Sequence, residues 1–345
     1  MSRTRVLPLL LTAAVAAVSV ATPALATASV TTERLAGADR YATAAAIAAD
    51  TFPSGSRTAV IASAVSFPDA LASAYMTGRL RAPVLLTEAS RLTTATERAL
   101  SGLNVAGVTV VGGTAVVSEA VVTRLQSLGY EVTRVAGGDR YATARAIAEA
   151  FPADFVGQLG DGGRTAVVAS GEGFADALAG APISFSESFP VLLTPRATLS
   201  GQTATAFTNL GIKQVVLLGG TAAVSQAVEA EIARQGIRVI RIAGNDRTAT
   251  AATIADFEVD NLGYQAAHVN LARGDQFADA LTGGPHEGTE RAPLLLTTNP
   301  GSLGAASTTW LRDRSARVAT IDVLGGATAV SDATVEAARR AATTP

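Results

Sequence analysis

Asp39-Arg40-Tyr41-Ala42-Thr43-Ala44 returns as Asp139-Arg140-Tyr141-Ala142-Thr143-Ala144 and again as Asp246-Arg247-Thr248-Ala249-Thr250-Ala251. A second block, Phe67-Pro68-Asp69-Ala70-Leu71, recurs as Phe174-Ala175-Asp176-Ala177-Leu178 and Phe277-Ala278-Asp279-Ala280-Leu281. A third, Gly112-Gly113-Thr114-Ala115-Val116-Val117-Ser118, recurs as Gly219-Gly220-Thr221-Ala222-Ala223-Val224-Ser225 and Gly325-Gly326-Ala327-Thr328-Ala329-Val330-Ser331. The blocks keep their order, and equivalent residues stand 100 to 107 positions apart. Such a period means three copies of one supersecondary unit, bounded at 32–131, 132–237 and 238–340.

Each copy reads as alternating strand and helix. In the middle copy, Val132 to Val135 is a short β-branched run opening the unit and closed by Gly137-Gly138. Asp139 then stands as an N-cap before apolar positions at helical spacing, Tyr141, Ala144, Ile147 and Ala148. Strands follow at Thr165 to Ala169, Val191 to Thr194 and Val215 to Leu218, with a short helix over Phe174 to Ala179 between the first two. Arg238 to Ile242 begins the third copy. Continuous apolar strands such as Val108-Thr109-Val110-Val111 belong to sheets buried on both faces, hence parallel and flanked by helices. The fold class is α/β: three repeated three-layer units with parallel sheets. No Pro/Ser-rich linker separates the copies, and alanine-rich helices allow close approach, so a compact pseudo-threefold cluster is expected, each unit with a core of its own. Strand order is left open by periodicity.

The amino terminus carries a separate signal. Arg3 and Arg5 form a positive n-region, Val6 to Val20 run without charge, and Ala24-Leu25-Ala26 offers a cleavage site, so residues 1–26 read as a secretory signal peptide. That run is short for a membrane span, which needs about 20 residues. No cysteine follows it for lipid modification, and no later stretch reads as an integral membrane segment or an anchor. Cleavage leaves 319 residues carrying 25 basic and 29 acidic side chains, a formal charge of −4. This balance argues against nucleic acid as a partner. Zero cysteines remove thiol catalysis and Cys-ligated metal, and leave stability to a hydrophobic core.

No catalytic motif stands in the sequence. The two histidines, His268 and His286, both fall in the third copy, without equivalents in the others. His268 reads as a structural or edge position beside Val269-Asn270-Leu271, and His286 as a residue without a role in a turn-rich loop, Gly283 to Gly288. There is no G-x-S-x-G elbow, H-E-x-x-H pair or Walker A loop. No cofactor and no metal site is expected. The repeated carboxylates Asp39, Asp139, Asp246, Asp69, Asp176 and Asp279 suit caps, salt bridges between units or ligand contact better than threefold-repeated catalysis. The pairs Gly112-Gly113, Gly219-Gly220 and Gly325-Gly326 follow strands and lead toward helices; they bring strand and helix close, or offer backbone N–H groups to an anion. Arg40, Arg140 and Arg247 are the better binding candidates: each can reach a carboxylate on the neighbouring unit or present a bidentate fork to an anionic ligand. Tyr41 and Tyr141 either pack on the sheet or stack on a sugar, and Thr248 replaces them in the third copy. Trp310 reads as a core or interface anchor.

Together, the run Arg134 to Ala144, the Ser170/Phe174 to Leu178 block and the Gly219-Gly220 to Ser225 block resemble the bacterial cell-wall-binding repeat type 2 family, which typically uses three copies. The resemblance covers residues 32–340. It implies non-covalent attachment to the cell envelope through an anionic cell-wall polysaccharide, with other envelope components as further partners. It also implies units similar to toprim-like or Rossmann-like folds, with ligand engaged near unit junctions, which suits Arg40, Arg140 and Arg247. The third copy departs from the pattern at Asn245, Thr248 and Arg273, the last standing where Ser63 and Ser170 stand. An envelope carbohydrate-active hydrolase and a self-assembling surface coat are the alternative functions.

Overall fold

The computed structural model describes residues 29–344 apart from residue 175; the signal-peptide reading lies outside the described residues. Twelve strands and thirteen α-helices alternate along these residues. The first sheet uses β2 (Thr58–Ser63), β3 (Val84–Thr87), β4 (Gly107–Val111) and β5 (Glu131–Val135). The second uses β6 (Thr165–Ser170), β7 (Val191–Thr194), β8 (Gln214–Leu218) and β9 (Arg238–Ile242). The third combines β10 (His268–Arg273), β11 (Leu294–Thr297) and β12 (Thr320–Leu324) with β1 (Thr31–Leu35) from the other end of the chain. Their orders are β3-β2-β4-β5, β7-β6-β8-β9 and β11-β10-β12-β1, every pairing parallel.

Sheets and sequence repeats are therefore offset by one strand. The run at Val132 to Val135 does not open the middle unit's sheet, and Arg238 to Ile242 does not open the third; each is the edge strand of the sheet before it. The third sheet has no following repeat to lend it an edge, so β1 fills the place beside β12 and closes a ring. Parallel pairing has no tight-turn connection, so the aliphatic pattern of such a strand is satisfied equally by either neighbouring sheet.

The helices are α1 (Arg40–Thr51), α2 (Phe67–Ala72), α3 (Ala74–Leu80), α4 (Thr94–Gly102), α5 (Glu119–Ser127), α6 (Arg140–Ala148) and α7 (Ala181–Glu187). They continue with α8 (Gly201–Leu210), α9 (Gln226–Arg234), α10 (Arg247–Asn261), α11 (Ala278–Glu290), α12 (Ala305–Asp313) and α13 (Asp332–Thr343). Helices α1, α6 and α10 follow the exchanged strands and cross to the next unit: α6 packs on α2 of the first unit and on β7 of the second. In the middle copy, the helix expected over Phe174 to Ala179 is displaced: a 3-10 turn at Leu178–Gly180 precedes α7. Pro182 sits in the first turn of α7, the one place where its missing N–H costs nothing.

Each unit keeps its own outer core, centred on residues such as Ile61, Val168 and Leu271. The opposite sheet faces do not form separate cores. They join a single central cluster that includes Val60, Val167, Ala272 and the aliphatic side chains of α3, α7 and α11. Phe67, Phe174 and Phe277, the first residues of the second repeated block, meet there, with ring centroids 5.6 to 6.1 Å apart. They mark the pseudo-threefold axis.

Small residues set the spacing around it. A Cβ on Gly78 would lie 2.2 Å from the Phe185 carbonyl oxygen, and one on Gly288 2.6 Å from the Phe185 ring. Gly78→Ala is accordingly expected to destabilise the protein by about 1–3 kcal/mol through overpacking, read as a lower urea midpoint at unchanged slope. An unchanged midpoint contradicts the close approach of α3 and α7.

Candidate functional site

Asp39, Asp139 and Asp246 occupy N-cap positions with extended backbone, φ −148° in each case. Asp139 accepts from the Ala142 amide at 2.7 Å, and Asp39 and Asp246 accept from two amides each. A cap of this kind stabilises a helix by about 1 kcal/mol, so these three carboxylates are committed to structure. Thr43, Thr143 and Thr250 accept from the amides of Gly37, Gly137 and Gly244 at 3.0 to 3.1 Å, folding the preceding loop back over the helix start.

The arginines beside the caps do not meet a carboxylate. Among the described residues Arg40, Arg140 and Arg247 form no ion pair. Each donates from Nη1 to a backbone carbonyl just beyond the first central strand of its own unit: Ala64, Gly171 and Gly274 respectively, at 2.8 Å for Arg40 and Arg247. The guanidinium is thereby aimed, while its remaining N–H groups have no partner among the described residues. Arg40 and Arg140 are exposed, and Arg247 is half-buried.

The second and third repeated blocks arrive at the same place. Gly112, Gly219 and Gly325 end the third strand of each sheet at φ +98°, +96° and +110°, the left-handed region that favours glycine. A Cβ at these positions would stand 2.5 to 2.8 Å from Oδ2 of Asp69, Asp176 and Asp279. The glycine thus supplies both the turn and the space for the carboxylate. Gly113, Gly220 and Gly326 follow it, with open space where a Cβ would stand.

A cleft forms where these pieces meet. Between the first and second units it encloses about 180 Å³ and is lined by Asp69, Gly113, Val116, Asp139, Arg140 and Thr143. Between the third and first, about 320 Å³ is lined by Asp279, Arg273, Gln276, Thr328, Asp39 and Arg40. The corresponding cavity of the second unit, about 250 Å³, has Asp176, Ser170, Glu172, Arg196 and Ala223 on its walls, and Arg247 does not reach it. Tyr41 and Tyr141 line none of these three cavities; both pack against the central core, and the Tyr141 ring lies over Gly171.

Burial pushes the Asp69 carboxyl up to about 6 against the opposing pull of the Arg140 guanidinium and the Thr143 hydroxyl. Burial likewise lifts Asp279 to about 6, opposed by Arg273 and Arg40. The native carboxyls hold protons through a range where the unfolded chain, titrating near 3.8, has lost them. Native stability from these groups is therefore greatest below about pH 4, declines as pH rises, and levels off above about pH 6. Asp69→Asn is expected to raise stability at about pH 7.5 by on the order of 2–3 kcal/mol, with little effect near pH 4; equal effects at both pH values contradict the assignment. An ionised carboxylate kept in such a cleft at a stability cost is characteristic of a functional position.

Repeated contacts not singled out in the sequence support the clefts. Arg34, Arg134 and Arg241 on the exchanged strands donate at 2.7 to 2.8 Å to the carbonyls of Gly325, Gly112 and Gly219. They also pair with Asp332, Glu119 and Glu229. Their recurrence two positions before the Ala of each Ala-Gly loop was the available signal. The reading of His286 is corrected: Gly283 to Gly288 is not a loop but the middle of α11, and His286 is buried. His268 lies 2.7 Å from Asp322, which also contacts His286.

A family model described as cell wall binding domain 2 (CWB2) matches residues 34–122, 134–229 and 241–336. The chain belongs to the CWB2 family. The N-acetylmuramoyl-L-alanine amidase LytC of Bacillus subtilis is 30% identical over 265 residues, 77% of this chain and 50% of that protein. The amidase enhancer of the same organism is 30% identical over 300 residues, 87% of this chain and 39% of that protein. The chain thus spans half or less of the length of these relatives. Among solved structures, Cwp6 from Clostridium difficile superposes with a TM-score of 0.81 at 23% identity, over 92% of this chain and 48% of that one. Cwp8 from the same organism gives 0.76 at 25% identity, over 91% and 52%. No described helix is long and apolar enough to cross a membrane.

Proposed function

We propose that this CWB2 chain is a secreted, non-catalytic protein that holds to the cell envelope by binding an anionic wall polysaccharide in its junction clefts. The observation that carries the reading is the matched pair of clefts in which a helix-start arginine, aimed by a carbonyl, stands beside a buried or half-buried aspartate. The free face of Arg40 or Arg140 is suited to a phosphate or carboxylate on the polymer. Asp279 or Asp69 is suited to accept a sugar hydroxyl, and Gly326 or Gly113 leaves room for the chain to pass. The helix N-terminus adds a favourable field for an anion. Asp246 and Arg247 stand at the start of the third unit, outside the corresponding cavity, which second-unit residues such as Glu172 and Arg196 wall.

We keep 32–131, 132–237 and 238–340 as the units of repetition, each cleft being assembled from the end of one and the start of the next. We also read the strand order as a short doubly wound sheet of the Rossmann-like or toprim-like kind. What supports this is that the clefts open at the carboxyl ends of the strands, beside the point where strand order reverses, the usual ligand position in such sheets.

The test is sedimentation of the mature protein with isolated cell walls before and after extraction of the non-peptidoglycan polymers. Binding is expected to fall after extraction. Equal binding to stripped and intact walls overturns the polymer-specific reading.

A further inference from the structure

The third unit departs from the other two in its interior around β10 and β12. On the inner face of its sheet, His268 stands where the first and second units have Thr58 and Thr165, Asn270 where they have Val60 and Val167, and Asp322 where they have Thr109 and Val216. On the facing helix α11, His286 replaces Met76 and Ile183. Both histidines of the chain and a buried carboxylate have thus been placed together where the sister units carry threonine or apolar side chains.

We propose that this cluster is a binding site for a first-row divalent transition metal ion of the zinc class, with His268, His286, Asp322 and Glu290 as ligands. His268, Glu290 and Asp322 each offer a ligand atom, all within 4.8 Å of one another. Nε2 of His268 lies 2.7 Å from Oδ2 of Asp322, and Nε2 of His286 lies 3.1 Å from the same oxygen and 3.5 Å from Oε2 of Glu290. Ligand atoms on a tetrahedron with bonds of about 2.0–2.1 Å stand roughly 3.3 Å apart, so small side-chain shifts suffice. Two imidazoles and two carboxylates suit zinc and disfavour calcium, which takes oxygen ligands alone.

Three further features fit a metal centre. Nδ1 of His286 faces Oγ1 of Thr51 at 3.3 Å and Oδ2 of Asp50 at 3.5 Å, which fixes the ring and leaves Nε2 toward the cluster. This is the outer shell that ligating histidines characteristically have. Asn270 is fully buried beside Asp322 in the sheet register, and neither its amide nitrogen nor its oxygen has a hydrogen-bond partner. Asp322 and His286 are buried, whereas His268 and Glu290 are 27% and 31% exposed, which gives an ion a path in. His268 directs both ring nitrogens at carboxylates, Nδ1 at Glu290 at 3.0 Å and Nε2 at Asp322 at 2.7 Å. The ligands come from the third unit and the outer shell from α1, so the ion braces the junction between the third and first units.

The experiment uses tag-free mature protein, treated with chelator and reloaded with zinc chloride. One equivalent of zinc is expected to remain after gel filtration, with a higher melting temperature, and calcium is expected to produce neither. The variant His268→Thr/His286→Met/Asp322→Thr installs the residues that the first unit carries and is expected to fold without retaining zinc. Should it fail to fold, Glu290→Gln at the open rim and Asp50→Asn in the outer shell supply the measurement, each expected to weaken zinc binding about 10–100-fold. Folded wild-type protein that emerges zinc-free with an unchanged melting temperature overturns the proposal and makes the cluster a buried salt-bridge network. Unaltered zinc affinity in both rim and shell variants overturns the ligand assignment.

Discussion

Deleting residues 29–36 is expected to remove on the order of 4–6 kcal/mol of stability, enough to unfold much of a typical domain. The segment holds β1, whose loss withdraws two buried aliphatic side chains, Val30 and Leu35, from the outer and central cores. Burying each contributes about 1.5–3 kcal/mol. The deletion also strips the edge of β12 and leaves the Gly325 carbonyl without its donor, the Arg34 guanidinium at 2.8 Å. The bare edge of β12 then becomes a template for another chain's strand. A lowered urea midpoint together with concentration-dependent dimers in gel filtration is the expected outcome. A monomer of unchanged midpoint would show that the ring does not depend on its closing strand.

The second large effect concerns binding. Replacing Arg40, Arg140 and Arg247 together by alanine is expected to weaken wall sedimentation by roughly 10²–10⁴-fold, the range that linked weak sites add over one. Arg40→Ala or Arg140→Ala alone carries more of this than Arg247→Ala, because Arg247 does not line the neighbouring cavity. Lysine at these positions keeps the charge and loses the planar fork, so partial binding is expected. Each arginine contributes one hydrogen bond to a carbonyl from an exposed or half-buried side chain, so melting temperatures shift modestly and the variants stay folded. Wall binding that survives the triple replacement in folded protein moves the ligand away from the clefts.

Much of the architecture was legible in the chain because it depends on local chemistry. Asp39, Asp139 and Asp246 precede helices and can cap them wherever the helices are sent. Gly112, Gly219 and Gly325 end strands at a conformation that a side chain would resist. The aliphatic runs of β4 and β8 announced parallel sheets buried on both sides. None of these inferences needs a distant partner.

The site itself was only partly legible. Arg40 and Arg140 were found from their place beside the caps, yet their acceptors, the carbonyls of Ala64 and Gly171, lie 24 and 31 residues onward. Asp69 shares a cleft with Arg140 only because α6 crosses from one unit to the next. His286 was lost among glycines and a proline that usually mark a turn; here the small residues let α11 approach Ala181 and Phe185, and tertiary packing overrides local propensity.

By itself the sequence determined three capped, aliphatic α/β copies, because capping, turn conformation and hydrophobic period act over a few residues. Only the tertiary structure decided which sheet each edge strand joins, how the inner sheet faces merge into one central core, and which charged groups share a cleft. Those outcomes rest on contacts between segments up to nearly 300 residues apart, such as Arg34 with Gly325, whose pairing is chosen by packing of the whole ring rather than by any pattern in the segments.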